Sequence, residues 1–463
     1  MLPTKISIIG AGSASFGMNT LVSLMRSQLL RGSHLALVDQ NQQSLDLIGH
    51  LAFRLNHDWG ANMTISTHSH HNQALEGSQF VILSIETSPR EALWRQDFQI
   101  PLKFAIRQPY AENGGPGGFA HSIRNIGPVM EIVDQMEQVC PQAWLINYTN
   151  PMMRICDAVA RYSSIKVIGL CHQIMVGYAT IGKVLAQDLD IEVSDEFINT
   201  SATPTLIPLK RQVARQTLEK IEIKAAGLNH FTWLLEVHDK HTGEDLFPLF
   251  LKRWHSHNPF FEPLTRKVFT ALGVFPITGD EHLSEYLPWV SDPLTKPWEK
   301  FDLSLYDWDA WETAREQGYR DIQNLIKSQL PVDQLTNTDS EGAVEIIENF
   351  IGEGNYLSQA VNLPNRGFIT NLPQGAIIEV PALIDGSGVH GVGVGELPEP
   401  VAELCRREIT VTRLCVDAAI HGDRQAALQC LLLDPVVNDL DLAQIILDEY
   451  LDAYRQYLPQ FWK

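Results

Sequence analysis

The sequence predicts an α/β chain, with an N-terminal doubly wound parallel sheet and an interlocked C-terminal α+β part. Three observations carry the prediction. Short β-branched runs alternate with helical periodicity over the first 190 or so residues. A glycine pair follows the first of those runs directly, where a doubly wound sheet makes its first tight turn. After about residue 192 the alternation gives way to a pair of adjacent strands and then to long helices.

Taken in order, Ile6–Ile9 is a β-branched strand and Asn19–Leu30 carries helical spacing. Leu35–Val38 is the second strand, ending at Asp39, and Ser44–Leu55 the next helix. His68, His70 and His71 alternate in a polar setting, which fits an exposed strand edge better than a metal cluster. Phe80–Ile85, Trp144–Asn147 and Lys166–Leu170 are further strands, with helices at Gly118–Val139 and Pro151–Tyr162 between them. Ile221–Ala226 and Phe231–Val237 read as strands of a different, antiparallel sheet. Helical patterns follow at Trp311–Leu330, Glu341–Ile351, Val401–Ala419 and Leu440–Tyr457. The expected division is residues 1–192 and 193–463, with the active site between the two parts.

The chain's 463 residues carry 55 acidic against 35 basic groups, a formal charge of −20. Such a surface repels phosphate backbones and anionic lipid, so neither nucleic acid nor membrane is an expected partner. No apolar stretch approaches a membrane span and no signal pattern opens the chain. Six cysteines without paired spacing fit a reducing compartment, so a cytoplasmic location is expected.

Gly10-Ala-Gly12-Ser13-Ala-Ser15-Phe16-Gly17 lies between the first strand and a helix. Gly10 permits the turn and Gly12 lets a pyrophosphate approach the helix N-terminus, where free N–H groups favour anions. Ser15 stands where the usual fingerprint has its third glycine. Asp39 would accept hydrogen bonds from a ribose diol, which favours NAD over NADP. Gly10, Gly12, Ser13, Phe16 and Asp39 are therefore the expected cofactor-binding residues of a Rossmann-type domain.

Cys171, at the end of the Lys166–Leu170 run and followed by His172, falls where an open α/β sheet meets its ligand. A thiolate is a soft ligand for a divalent transition metal, and imidazole is its common companion. The best imidazole is His230 in Gly227-Leu-Asn-His-Phe-Thr-Trp233. By themselves, the two residues fit a buried thiol and a core histidine better than a metal site. Asn150, in Asn147-Tyr-Thr-Asn-Pro151, is placed to hold a substrate hydroxyl. Arg124, one turn into the helix after the glycine cluster Gly114–Gly118, would neutralise an anionic group or stay solvated.

The ordered set Gly10-Ala-Gly-Ser, Gly114-Gly-Pro-Gly-Gly-Phe119, Asn147-Tyr-Thr-Asn-Pro151, Gly169-Leu-Cys-His172 and Gly227-Leu-Asn-His-Phe-Thr-Trp233 resembles glycoside hydrolase family 4. Pro276-Ile-Thr-Gly-Asp-Glu-His282, Asn371-Leu-Pro and Glu379-Val-Pro381 extend the likeness, which covers residues 5 to about 400. Members of that family depend on NAD and a divalent metal and depart from the two-carboxylate scheme of most glycosidases. The resemblance implies Mn²⁺ or a similar ion on Cys171 and His230, and a sugar against Asn150. It implies transient oxidation of sugar C3 by NAD⁺, loss of the C2 proton, elimination of the aglycone, addition of water and return of the hydride.

His172, where members acting on phosphorylated sugars carry Asp or Asn, implies an unphosphorylated, α-linked glycoside, oligosaccharide or uronide. His172 is also the local candidate for general acid. Asp280, in Thr278-Gly-Asp-Glu-His-Leu-Ser-Glu285, matches the segment that carries the base, and it fits equally a helix N-cap. His282 and Glu285 are further candidates for substrate or metal contact. A homodimer or homotetramer is implied by the family alone. Two other classes fit the dinucleotide motif: a dehydrogenase of a hydroxy acid or sugar with net redox turnover, and a catalytically silent NAD-binding regulator.

Overall fold

The computed structural model describes residues 3–14, 16–328, 332, 335, 340–352 and 354–463. Ser15 and the expected helix end at Leu330 lie outside the described residues.

Twelve strands form one sheet. The first six are β1 (Lys5–Ile9), β2 (His34–Val38), β3 (Thr64–His68), β4 (Phe80–Leu83), β5 (Trp144–Asn147) and β6 (Lys166–Gly169). They are mutually parallel in the order β3-β2-β1-β4-β5-β6. That is the Rossmann order, with its topological switch at β1. β4 is buried along its whole length and β5 and β6 nearly so, which explains why they read as continuous apolar runs. β3 is the polar edge strand and ends at His68, while His70 and His71, expected on the same edge, begin the helix His71–Leu75.

The remaining strands are β7 (Ile221–Leu228), β8 (Phe231–Asp239), β9 (Phe275–Pro276), β10 (Tyr356–Pro364), β11 (Ile377–Asp385) and β12 (Gly388–Gly391). β7 and β8 are antiparallel, as expected, but they do not belong to a different sheet. β10 and β11 join them to β6, giving the continuation β6-β10-β11-β7-β8-β9. The joins are narrow. β10 meets β6 only at Asn362 opposite Gly169, and β11 meets β7 only at Glu379 opposite Gly227. Buried Glu379 spans both. It accepts from Asn362 Nδ2 at 2.9 Å, Asn229 Nδ2 at 2.8 Å and Thr232 Oγ1 at 2.7 Å. Side-chain hydrogen bonds thus hold a seam that the backbone ladder scarcely crosses.

Helices cover both faces. The 25-residue helix Gly115–Val139 is buried throughout its first half, Gly115 to Ile126, and packs against Met152–Tyr162 and Glu399–His421. The principal core runs through both halves of the chain, from Ile6 to Phe461. A smaller core lies under Ile174–Val184, Leu206–Lys220 and the outer part of the β7–β8 hairpin. All six cysteines are free thiols. No helix among the described residues is long and apolar enough to cross a membrane.

Candidate active site at the carboxyl edge of the sheet

The parallel strands deliver their following residues to one edge. Gly10 follows β1, Asp39 follows β2, Asn150 lies three residues beyond β5 and Cys171 two beyond β6.

At the β1 turn, Gly10 has φ +86° and its N–H, with that of Ala11, donates to Val38 O at 2.9 and 3.0 Å. Gly12 N–H donates to Asp39 Oδ2 at 2.8 Å, and a Cβ at Gly12 would stand 2.7 Å from that oxygen. Ser13 Oγ accepts from Phe16 N at 3.2 Å at the start of helix Phe16–Arg26, and the Phe16 side chain is 38% exposed. The close packing that a third glycine provides falls to Gly17, where a Cβ would lie 2.0 Å from Ala11 O. Tyr319, on helix Trp308–Lys327, donates to Gly12 O at 2.9 Å and so adds a residue to the cofactor end that no sequence motif marked.

At the other end, Cys171 Sγ lies 3.3 Å from His230 Nε2. His230 occupies the two-residue turn between β7 and β8 with φ +60°, a left-handed conformation that costs a non-glycine residue on the order of 1–3 kcal/mol. Asn229, tied to Glu379, anchors the other turn position. His282 packs at a tilt on His230 with ring centroids 4.1 Å apart and stacks on Tyr110 at 4.8 Å. Glu285 Oε1 is 3.1 Å from His282 Nδ1. His230, His282 and Glu285 together offer ligand atoms within 4.8 Å of one another.

Burial pushes the Cys171 thiol well up, and Glu341 and Glu379 add to the shift. Burial also pushes the His230 imidazole well down. His230 Nδ1 and Asn150 Oδ1 are buried with no hydrogen-bond partner, a state native proteins seldom leave without a ligand. A soft sulfur beside nitrogen and oxygen donors, with orphaned acceptors at its margin, fits a divalent transition cation.

His172 is held by a residue that sequence reasoning missed. Glu341 accepts from its backbone N–H at 2.6 Å and pairs with its Nδ1. Nε2 of His172 has no partner among the described residues, and the side chain is 42% exposed. Asn150 Nδ2 donates to Glu112 Oε2 at 3.3 Å, another carboxylate that was not singled out. Its position just before the glycine cluster was the available signal.

One expectation is corrected. Arg124 does not reach the site. It is buried in a paired contact with Asp97, with both guanidinium–carboxylate distances 2.5 Å, and its guanidinium lies 4.2 Å from the Tyr454 ring centroid. The helix face that carries it turns inward. Asp280 is held in a helix cap. Its two oxygens accept from Leu264 N at 2.8 Å and Thr265 N at 2.7 Å, capping the neighbouring helix Pro263–Leu272 instead of its own. Burial, and Glu262 beside it, push its carboxyl well up.

The glycine cluster serves packing. A Cβ at Gly115 would fall 1.8 Å from Gln108 Nε2 and one at Gly117 2.4 Å from Ala111 Cβ. The amides at this helix N-terminus are already used, since Glu285 Oε2 accepts from Asn113 N at 3.1 Å and Gly114 N at 3.3 Å.

A Rossmann-ordered sheet with a glycine turn and a sulfur–imidazole cluster at one carboxyl edge defines an α/β enzyme with its active site in that crevice. Residues 5–189 match the family 4 glycosyl hydrolase model and residues 225–437 match the family 4 glycosyl hydrolase C-terminal domain. An alpha-glucosidase of Erwinia rhapontici is 31% identical, the alignment covering 99% of each chain. An alpha-galactosidase of Bacillus subtilis is 29% identical, again over 99% of each. An alpha-galacturonidase of Lachnoclostridium phytofermentans is 26% identical over 99% of this chain and 97% of the other. A 6-phospho-beta-glucosidase of Thermotoga maritima, solved with manganese, NAD⁺ and glucose-6-phosphate, shares the fold at a TM-score of 0.77. That likeness has 21% identity and covers 98% of this chain and 99% of the other. The chain belongs to family 4 of the glycosyl hydrolases and is a glycosidase.

Proposed function

We propose that this chain hydrolyses unphosphorylated, α-linked glycosides or uronides with the help of NAD and a divalent metal, Mn²⁺ before others. The observation that carries the reading is the Cys171–His230 contact at 3.3 Å, with His282 and Glu285 closing around it, on the same sheet edge as the Gly10–Gly12 turn. Cys171 and His230 would hold the cation, with His282 and Glu285 beside them. Gly10, Gly12, Ser13, Phe16 and Asp39 would hold the dinucleotide, with Asp39 exchanging the Gly12 amide for a ribose diol. When bound, NAD supplies a reversible hydride acceptor and the cation a Lewis acid that makes the sugar's C2 proton removable.

The chain's own residues do the rest. The open Oδ1 of Asn150 accepts from a sugar hydroxyl and fixes the ring against the cation site. Glu341 sets the tautomer and direction of the His172 ring, which leaves Nε2 to hand a proton to the departing oxygen at C1. The Tyr110, His282 and His230 rings pack in a row beside Cys171.

The test is a panel of nitrophenyl α- and β-glycosides assayed with Mn²⁺, NAD⁺ and thiol, with NADH followed by absorbance. Aglycone release without NADH accumulation, and deuterium incorporated at C2 in D₂O, is the expected result. Stoichiometric NADH without aglycone would instead identify a dehydrogenase.

A further inference from the structure

We propose that Tyr319 is a positioning residue for the dinucleotide, holding the Gly12–Ser13 peptide so that the Ser13 N–H is free to meet a pyrophosphate. The inference rests on the NAD reading above and adds to it a residue from the C-terminal half of the chain.

Helix Trp308–Lys327 crosses the end of β1 as a strap. Near its start, Asp309 Oδ1 accepts from Arg95 Nη2 at 2.5 Å and Arg315 pairs with Glu91. Both partners lie on helix Arg90–Leu102, which follows β4. Past its other end, Ser328 O accepts at 2.8 Å from Arg54 Nη1, on helix Gln42–Asp58, which follows β2. β1 lies between β2 and β4, so these anchors carry the helix past the glycine turn. The passage is close. A Cβ at Gly318 would stand 3.5 Å from Ala14 Cβ, and Tyr319 donates to Gly12 O at 2.9 Å. Of the helix's 20 residues Trp308, Ile322 and Leu325 are the buried ones, so point contacts such as that of Tyr319 hold it in place.

The two polar groups of Gly12 have different fates when a dinucleotide binds. Its N–H donates to Asp39 Oδ2 at 2.8 Å, a bond given up once Asp39 turns to a ribose diol. The carbonyl bond to Tyr319 involves neither Asp39 nor a ligand atom, so it persists and keeps the turn in place. A trans peptide points its C=O and N–H in opposite directions, and among the described residues the cis bonds are Ser88–Pro89 and Asn150–Pro151. By fixing the Gly12 carbonyl, the Tyr319 hydroxyl therefore turns the Ser13 N–H to the opposite side. Neither the Ser13 nor the Ala14 N–H has an acceptor among the described residues, whereas Phe16 N is already taken by Ser13 Oγ. Free amides just ahead of helix Phe16–Arg26 are the donors a pyrophosphate requires. The same hydroxyl covers a carbonyl oxygen whose partial negative charge would otherwise oppose an anion beside it.

The test is Tyr319→Phe, which keeps the ring and deletes the hydroxyl. NAD⁺, ADP-ribose and adenosine are titrated by displacement of bound NADH, followed by its fluorescence. NAD⁺ and ADP-ribose carry the pyrophosphate and should each bind about 5- to 10-fold more weakly, the worth of one neutral hydrogen bond. Adenosine lacks it and should bind within about twofold of its parent affinity. With NAD⁺ saturating, kcat should also stay within about twofold, so that the loss appears in KM for NAD⁺. Trp311→Phe is the control for the strap as a whole, because it removes a 3.0 Å bond to Ala202 O from the same helix and leaves Tyr319 in place. It should leave all three affinities within about twofold. Unchanged NAD⁺ affinity in Tyr319→Phe overturns the proposal. Equal weakening of all three ligands, or the same loss of NAD⁺ affinity in Trp311→Phe, also overturns it, since the hydroxyl would then do no more than dock the helix. A parent chain that bound neither NADH nor NAD⁺ would remove the NAD reading itself, and this inference with it.

Discussion

The two ends of the crevice are built in opposite ways. The cofactor end is local. Gly10, Gly12 and Ser13 lie in one turn, Phe16 and Gly17 open the helix after it, and Asp39 closes the turn from just beyond the next strand. The sugar end is assembled from afar: Cys171 after β6, His230 in the β7–β8 turn, His282 and Glu285 beyond β9, and Glu341 before helix Ala343–Ile351. What joins these pieces is the seam at Asn362 and Glu379, where the sheet turns from parallel to antiparallel. A local site should fail locally, whereas a site made at a seam should depend on each contributing strand.

The largest effect should come from the centre of the seam. Cys171→Ser replaces the soft sulfur with a hard, protonated hydroxyl and should lower Mn²⁺-dependent kcat/KM by about 1000-fold or more. NAD⁺ binding, measured by fluorescence titration, should stay within about twofold, because the turn at Gly10–Gly12 is a separate construction. Retained Mn²⁺-dependent activity in that variant would show that sulfur is not a ligand.

Next in size is a change that breaks stability and spares both ends. Arg124→Gln leaves Asp97 buried beside Tyr454 without its cation, and loss of one partner of a buried pair typically costs about 3–5 kcal/mol. Urea denaturation should report that loss, with kcat of the remaining folded protein unchanged. Normal stability with a raised KM would return Arg124 to the substrate.

Smaller again is Gly12→Ala. Its Cβ would enter the space 2.7 Å from both Asp39 Oδ2 and Ser44 Cβ. Side chains there can shift, so NAD⁺ affinity should fall by about 10- to 100-fold while the Mn²⁺ affinity of the apoprotein is unaffected, the mirror image of Cys171→Ser. Equal losses at both ends would mean that the two constructions are coupled.

The same contrast explains what could be read from the sequence. The parallel order, Asp39 and the glycine turn were legible because each is set by short-range spacing. Even there the fingerprint's third glycine was looked for at position 15, although Gly17 makes the close contact, because a contact with Ala11 O is not a spacing. The seam was not legible as structure. Tyr356–Pro364 and Ile377–Asp385 carry the strands that fuse the two halves, but nothing local says that they pair with β6 and β7. Cys171 and His230 were paired from ligand chemistry, and only the resemblance favoured a metal role over a buried thiol and a core histidine. Glu341 had no local signal at all, since its role exists only where the chain returns to His172. Arg124 was misplaced, and Asp280 was left between base and cap, for a shared reason. Sequence gives a side chain's type and its place on an element, while burial and the neighbouring element decide where it points.

Asp280 supplies the finest test of that last point, because a base and a cap make opposite demands on one carboxylate. Asn accepts through one oxygen only, so Asp280→Asn keeps one of the two bonds to Leu264 and Thr265 while removing the charge beside Glu262. An acid whose carboxyl is raised in the native state binds its proton more tightly folded than unfolded. The parent should therefore lose stability as pH rises from the ordinary aspartate range through the raised value. The variant lacks that titration, so its urea midpoint should fall less than the parent's between about pH 5 and pH 8. Its kcat/KM at neutral pH should stay within about threefold of the parent. A base removed from proton transfer would cost about 100-fold or more, and such a loss with the parent's pH–stability slope intact would place Asp280 at the sugar after all.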